Sequence, residues 1–285
     1  MRISLFAPVI SPINDAAYLR SLAQGAEERG FHGVWLGEHV VLFDQYEAQY
    51  PYQEDGRIPV GVDNGLLEPI TALSYMAALT ERIRLGTGIC LVPQRNPVYT
   101  AKEIAAVDYL SGGRVDFGVG VGWLKEEFDA LGVPFERRGA RCREYLQVIK
   151  ALWTEDVSCY SGEFYELPPC RQFPKPIQQP GPPIYFGGES DAALRRVADI
   201  GQGWYGFNLA AEDIGNYIDR LEGFLANNGR QRTDVEIVIG PYSNKLNADR
   251  ARQYEDAGVD QLVALIVGRN LDELERWLDR LTEYI

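Results

Sequence analysis

The sequence has few of the residues that build metal centres and disulfide frameworks. Its 285 residues include two histidines, which leaves little room for a metal site with several histidine ligands. The four cysteines show no C-x-x-C spacing, so no zinc or redox motif of that spacing is present. We therefore expect no metal ion, and we expect the cysteines to be reduced: Cys90, Cys142, Cys159 and Cys170.

Long apolar runs and an excess of positive charge are also lacking. The longest apolar run, Leu262–Val267, falls far short of the roughly 18 residues of a membrane span. Residues 1–8 lack the apolar core of a signal peptide. Lys and Arg number 28 against 41 Asp and Glu, a formal net charge of −13, which repels nucleic acid and anionic membranes. The sequence therefore predicts a cytoplasmic protein with a small-molecule substrate and neither a nucleic-acid nor a membrane partner.

The chain does contain one alternation that repeats along its length. Short apolar or β-branched runs alternate with longer segments of helical period, several of which begin at a capping Asp, Asn or Ser. Because the short runs do not alternate between polar and apolar residues, they indicate a parallel sheet covered on both sides. The eight predicted strands are Ile3–Ala7, Val34–Gly37, Ile83–Cys90, Val115–Val119, Ile184–Phe186, Gly203–Gly206, Val235–Ile239 and Leu262–Val267.

Eight strand–helix units in about 250 residues match the size of a (β/α)8 barrel. We predict one TIM-like barrel domain over residues 1–285, with a doubly wound sheet as the alternative. Two stretches interrupt the alternation, at about 40–67 after strand 2 and about 154–183 before strand 5. Insertions this long are usually lids or interface elements, and the tyrosines of the first insertion favour a substrate lid.

The predicted strand ends bring several chemical groups to one barrel mouth, because ligands of such barrels meet the C-terminal ends of the strands. Strand two ends in Glu38 and His39, and each of these residues, taken alone, has a structural as well as a catalytic interpretation. The other histidine, His32, lies in a turn and is interpreted as structural. Glycine at a strand end lets a ligand approach the backbone, and the start of the next helix suits a phosphate. The glycine-rich strand ends are Leu85–Cys90, Phe117–Trp123 and Phe186–Ser190.

Six segments carry motifs in a consistent order, namely Gly33–His39, Arg82–Ile89, Leu110–Gly120, Phe128–Gly132, Glu136–Arg138 and Pro183–Gly188. In this order the chain resembles the bacterial luciferase-like superfamily, in particular its deazaflavin-dependent oxidoreductases. The resemblance covers essentially the whole chain. Its most specific motif is Ser111–Arg114, which precedes a glycine-rich strand.

The resemblance implies that a flavin-type cofactor binds at the C-terminal mouth of the barrel. It places Glu38 and His39 beside the tricyclic ring as the catalytic pair, with His39 assisting proton transfer or stabilising charge. It also implies that Gly88 and Ile89 back the ring, through a non-proline cis peptide in many members. The positions that match the cofactor's side chain and phosphate are Gly120, Gly122, Gly187, Gly188, Glu189 and Ser190.

Departures from the family pattern narrow the range of substrates. Deazaflavin-dependent sugar-phosphate dehydrogenases carry a catalytic glutamate at the position of Trp123 and a tryptophan at that of Phe43, which argues against a sugar-phosphate substrate. True luciferases carry Cys and Arg at Gly120 and Val121, so light emission is not expected. Phe43, Tyr46 and Trp123 indicate an apolar or planar substrate pocket, or packing alone.

The reaction implied by the resemblance is hydride transfer between coenzyme F420 and an unidentified small organic substrate. The alternatives are an FMN-dependent monooxygenase, supplied with reduced flavin by a separate reductase, and a flavin-binding barrel without turnover. A Schiff-base lyase is disfavoured, because none of the predicted strands carries a lysine. The carboxylates of an F420 tail would need a local basic patch, for which Arg57, Arg195 and Arg196 are candidates. The resemblance also favours a homodimer.

Overall fold

The computed structural model of the protein describes residues 1–61, 63–244 and 246–285. The strands in these residues are β1 Arg2–Phe6, β2 Ile10–Ser11, β3 Gly33–Leu36, β4 Gly65–Leu66, β5 Arg84–Thr87, β6 Val115–Val119, β7 Ser158–Ser161, β8 Glu166–Cys170, β9 Ile184–Gly187, β10 Gly203–Phe207, β11 Glu236–Gly240 and β12 Gln261–Leu265. The helices are α1 Ala16–Glu28, α2 Pro69–Ala77, α3 Pro97–Ser111, α4 Lys125–Ala130, α5 Arg138–Thr154, α6 Asp191–Ile200, α7 Ala211–Asn227, α8 Ala248–Asp256 and α9 Leu271–Leu281. Short 3-10 helices lie at Val92–Gln94, Arg232–Asp234 and Thr282–Tyr284.

Eight of these strands close into a parallel barrel in the order β1, β3, β5, β6, β9, β10, β11 and β12, with β12 pairing back to β1. This arrangement confirms the predicted TIM-like (β/α)8 barrel. Each predicted strand overlaps one barrel strand. The largest difference is at Ile83–Cys90, where the strand ends at Thr87 and the chain then passes through a cis peptide at Gly88–Ile89.

Five of the described helices begin at capping residues that the sequence indicates. Asp15, Asn96, Ser190, Asn247 and Asn270 are N-caps, and each accepts a hydrogen bond from a backbone N–H of the first turn. Apolar side chains of the capped helices are buried in a core that they share with the barrel strands. Within the described residues, no helix is both long enough and apolar enough to cross a membrane.

An aromatic cluster fills the barrel interior below the mouth. The Trp35 ring stacks on that of Tyr205 with centroids 5.1 Å apart and meets Tyr185 edge-on at 5.3 Å. Glycine is needed opposite this cluster, because a Cβ at Gly86 would lie 2.4 Å from the Trp35 ring. The interior is therefore a packed core, and a ligand has to bind above it, among the loops that follow the strands.

Both insertions lie where the sequence predicts them. The first follows β3 and leads to α2; it contains β4, which pairs antiparallel with β2, and its residue 62 lies outside the described part of the chain. The second precedes β9 and contains the antiparallel β7–β8 hairpin.

Candidate active site

Glu38 lies two residues after the end of β3, and both of its carboxylate oxygens have hydrogen-bond partners. Its Oε1 accepts a hydrogen bond from Nε of Arg95 at 2.8 Å, and its Oε2 accepts one from the Leu91 N–H at 2.5 Å. Arg95 also pairs with Glu68 at 2.5 Å. Both carboxylate oxygens of Glu38 therefore hold the segment that follows β5.

His39 lies against a buried carboxylate that the sequence reasoning missed. Its Nδ1 is 3.3 Å from Oε2 of Glu127, a contact that is an ion pair only when the ring is protonated, and the N–H is not aligned for a hydrogen bond. The Glu127 side chain is fully buried and accepts hydrogen bonds from the Val40 N–H at 2.7 Å and from Nε2 of Gln94 at 3.1 Å. Burial by itself raises the pKa of the Glu127 carboxyl, but His39 and these donors outweigh it, so the pKa lies below its ordinary value.

Four of the predicted cofactor positions lie together at the ends of neighbouring strands. The Gly88–Ile89 peptide is cis, as the resemblance implies. The Ile89 side chain crosses the ends of two neighbouring strands: a Cβ at Gly120 would lie 1.9 Å from its Cδ1, and a Cβ at Gly187 would lie 2.9 Å from the same atom. Glycine at both positions therefore lets the Ile89 side chain lie flat against β6 and β9.

Two arginine side chains lie near the start of α5, and one of them contacts the glycine-rich end of β6. Nε of Arg138 donates to the carbonyl of Gly122 at 2.9 Å. Arg196 is 8% exposed, its buried Nε has no partner among the described residues, and its Nη1 would lie 3.3 Å from a Cβ at Gly139. Burial lowers the pKa of Arg196, and the neighbouring cations Arg143 and Arg138 lower it further. Desolvated guanidinium groups with unused N–H donors suit an anion such as a phosphate.

The other two cations predicted for the cofactor tail are engaged elsewhere. The Arg57 guanidinium lies over the Tyr46 ring, 5.5 Å from its centroid. Arg195 is exposed, lies 3.9 Å from Asp191 and covers the ring of Phe224. Of the three predicted cations, Arg196 is therefore the one that combines burial with an unpartnered donor.

The end of β9 leads into the N-terminus of α6. Gly188 has φ of 105°, a conformation that favours glycine, and its carbonyl accepts a hydrogen bond from Nε1 of Trp204 at 2.9 Å. Ser190 caps α6 by accepting the N–H of Ala193 at 3.2 Å. These predicted cofactor positions thus adjoin a helix N-terminus, which favours negative charge.

The first insertion, which the sequence predicts to be a lid, contacts residues at the ends of the barrel strands. The Tyr52 hydroxyl donates to Oε2 of Glu189 at 3.1 Å, and the Tyr52 ring packs on Phe207 with centroids 4.3 Å apart. Oε1 of Glu189 accepts the N–H of Phe207 at 2.9 Å. Burial raises the pKa of both the Tyr52 hydroxyl and the Glu189 carboxyl. Glu189 therefore contacts the lid at the ends of β9 and β10.

Trp123 is the centre of an aromatic cluster beneath the same insertion. Its ring centroid lies 5.9 Å from that of His39, 5.9 Å from that of Tyr46 and 5.2 Å from that of Tyr50. Phe43 is half-buried in the same insertion. The structure therefore brings the predicted substrate residues Tyr46 and Trp123 together with His39. In the described part of the chain, no group of three or more His, Cys, Asp or Glu is arranged to hold a metal ion.

Comparisons with known proteins agree with this fold. A family model described as luciferase-like monooxygenase matches residues 1–264. An uncharacterised protein of Mycobacterium tuberculosis is 31% identical over 261 residues, which is 91% of this chain and 90% of that protein. The FMNH2-dependent dimethylsulfone monooxygenase of Pseudomonas putida is 33% identical over 75% of this chain and 55% of its own length. The solved coenzyme F420-dependent tetrahydromethanopterin reductase of Methanopyrus kandleri superposes with a TM-score of 0.77 at 17% identity, covering 100% of this chain and 99% of that chain.

Proposed function

The chain belongs to the luciferase-like monooxygenase family, and from that premise we propose that it is an oxidoreductase with a flavin-type cofactor at the mouth of its barrel. The observation that carries this proposal is a juxtaposition at one mouth. His39 contacts a buried carboxylate after β3, the Ile89 side chain packs against Gly120 and Gly187, and the guanidinium of Arg196 on α6 is desolvated against the start of α5. The bound cofactor supplies the redox chemistry, while the chain binds it, orients it and excludes water.

The unused donors of the site fit the phosphate that these cofactors carry. Arg138 and Arg196 would bind this phosphate, together with the backbone near Gly122, Gly188 and Ser190. The unpartnered Nε of Arg196 is the observation that supports this assignment, because a buried donor without an acceptor is costly unless a ligand supplies one. The ring would then lie against the wall formed by Ile89 and its neighbouring glycines.

Glu38 and His39, in the loop after β3, receive different roles. We assign His39 to proton transfer, because its ring borders both the mouth and the aromatic cluster of the lid. Glu38 acts as a positioning residue, because both of its oxygens already bind Arg95 and Leu91. A carboxylate is unfavourable beside a phosphate, so Glu189 is assigned to the lid through its hydrogen bond with Tyr52. The substrate would bind beneath that lid, in the aromatic cluster formed by Trp123, Tyr46 and Tyr50 with Phe43 in the same insertion.

Hydride transfer with coenzyme F420 is the first candidate for the reaction. It is supported by the resemblance of the sequence motifs to the deazaflavin-dependent oxidoreductases, and the F420-dependent reductase shows that this fold can use that cofactor. The second candidate is an FMN-dependent monooxygenase that receives reduced flavin from a separate reductase. The observation that favours it is the 33% identity to the FMNH2-dependent monooxygenase, although this chain spans about half of that protein.

Titration of the purified protein with coenzyme F420 and with FMN, each oxidised and reduced, separates these candidates. Binding is followed by quenching of cofactor fluorescence where the form fluoresces and by equilibrium dialysis for the other forms. Micromolar binding of F420 without binding of FMN supports the first candidate, and the reverse result replaces it with the second. If neither cofactor binds at concentrations up to about 1 mM, the proposed function is wrong.

The role of His39 is tested once a cofactor is known. Oxidation of the reduced cofactor is followed by absorbance with a panel of planar ketones, aldehydes and heteroaromatic compounds. The His39→Ala variant is expected to lower the turnover found for the wild type by about 10²-fold or more, the usual scale for a lost acid–base group. Unchanged turnover would assign His39 a structural role.

A further inference from the structure

We propose that Glu127 is the positioning residue of His39, which keeps the proton of the neutral ring on Nδ1 and leaves Nε2 unprotonated on the edge that borders the mouth. The inference rests on the proposed function in one respect: the position of the His39 proton matters for turnover only if the protein is the proposed oxidoreductase. Its evidence is the buried contact between the two side chains, which does not depend on which cofactor binds.

One oxygen of Glu127 fixes the backbone that carries His39. Oε1 accepts the Val40 N–H at 2.7 Å and lies 3.4 Å from the Val41 nitrogen, and these residues follow His39 directly. Glu127 lies on α4, between the end of β6 and α5. A side chain from the fourth barrel unit thus holds the loop that follows the second barrel strand.

The other oxygen faces the imidazole ring. Oε2 lies 3.3 Å from Nδ1 of His39 and accepts a hydrogen bond from Nε2 of Gln94 at 3.1 Å. An ionised carboxylate only accepts hydrogen bonds, so a neutral ring facing it is most stable with its N–H at Nδ1. The hydrogen bonds that Glu127 accepts from the Val40 N–H and from Gln94 stabilise its ionised form whether or not the His39 ring is charged.

The exposed edge of the ring is the one that a substrate can reach. The His39 side chain is 11% exposed, and Nδ1 is fully buried, so the exposed part is the opposite edge of the ring. The ring as a whole lies beside Trp123 of the lid cluster, with the two ring centroids 5.9 Å apart. With Nδ1 protonated, Nε2 is the atom that can accept a proton there.

The chain is well suited to a direct test, because it contains two histidines. Protein labelled with 15N-histidine is studied without ligand at pH 8 by long-range 1H–15N NMR, which distinguishes protonated from unprotonated ring nitrogens. The signals of His39 are identified by their loss in the His39→Ala variant. His32 is an internal reference, because burial and its neighbours Arg2 and Arg84 lower its pKa to about 4 and keep it neutral at this pH. We expect wild-type His39 to be protonated at Nδ1.

The Glu127→Gln variant is expected to reverse this tautomer. The remaining oxygen still accepts the Val40 N–H, so the new amide NH2 takes the place of Oε2 beside Nδ1. Gln94 can turn its own amide to accept from this group, because its Oε1 has no partner among the described residues. Nδ1 then faces a donor, and the proton moves to Nε2.

Asp129→Asn is the matched control, because it removes the same charge from an exposed position of the same helix, where Asp129 pairs with Lys125. It is expected to leave the His39 tautomer unchanged. Protonation at Nε2 in the wild type, or an unchanged tautomer in Glu127→Gln, would overturn the proposal. If Glu127→Gln does not fold, the wild-type tautomer alone decides. Because no cofactor is added, failure here is distinguishable from failure of the cofactor titration.

Discussion

Replacement of Arg196 by methionine should stabilise the ligand-free protein and weaken cofactor binding at the same time. Arg196 is 8% exposed, its Nε has no partner in the described part of the chain, and its nearest charged neighbours include Arg143 and Arg138. Methionine has an unbranched apolar side chain that can follow the same path as the aliphatic part of arginine, so the packing between α5 and α6 is largely kept. A residue that serves only packing would show loss of stability alone.

The size of both effects follows from the contacts of Arg196. A buried polar group without a partner costs about 1–3 kcal/mol, so Arg196→Met should raise the free energy of unfolding by that amount. For a chain of this length, about 2 °C in Tm corresponds to each kcal/mol. Hydrogen bonds to charged groups contribute about 1.5–3 kcal/mol, so the cofactor affinity should fall about 10- to 100-fold.

Thermal unfolding without ligand and fluorescence titration with the cofactor measure the two effects on the same samples. Arg195→Met is the matched control, because Arg195 is the adjacent residue, with 59% of its side chain exposed and a distant contact to Asp191. It should change the free energy of unfolding by less than about 0.5 kcal/mol and leave the affinity unchanged. A lower Tm for Arg196→Met, or an unchanged cofactor Kd, would refute the assignment of Arg196 to an anion site.

Two further predictions concern glycine and pH. A Cβ at position 118 would lie 1.9 Å from the Thr87 carbonyl oxygen, which cannot move away, so Gly118→Ala should cost about 3 kcal/mol or more in denaturant unfolding. At position 120 the added Cβ meets the end of the Ile89 side chain, which can move, so Gly120→Ala should cost about 1 kcal/mol and mainly weaken cofactor binding. Equal destabilisation by the Gly118 and Gly120 variants would contradict this prediction. The pKa of His32 is lowered from 6.5 to about 4, so the unfolded chain takes up a proton first and stability falls as pH drops through this range. His32→Gln should remove that loss, as judged by denaturant midpoints at pH 7 and 4.5.

Several parts of the molecule follow from local sequence signals. Apolar runs without alternation identify the eight barrel strands, and Asp15, Asn96 and Ser190 mark helix starts because their side chains satisfy first-turn N–H groups. Parallel strands of a barrel end at one mouth. The position of His39 after the second strand therefore places its ring there without any knowledge of long-range contacts.

The electrostatic partners of the site depend on contacts between distant segments. Glu127 and Glu126 are adjacent in the sequence, and only the packing of α4 buries the first against His39 while the second remains accessible. Glu38 stands beside His39 in the chain, but Arg95 draws its carboxylate towards the segment after β5.

The sequence by itself determined the barrel, its two insertions and the strand ends that form the mouth, because periodicity and capping are local properties of the chain. The tertiary structure alone decided which charges meet there. Arg195 and Arg196 are neighbours with the same side chain, yet the turn of α6 exposes one and buries the other against α5. Side-chain direction, burial and loss of solvent depend on how helices pack, and these factors distinguish an exposed arginine from a buried one with an unpartnered donor.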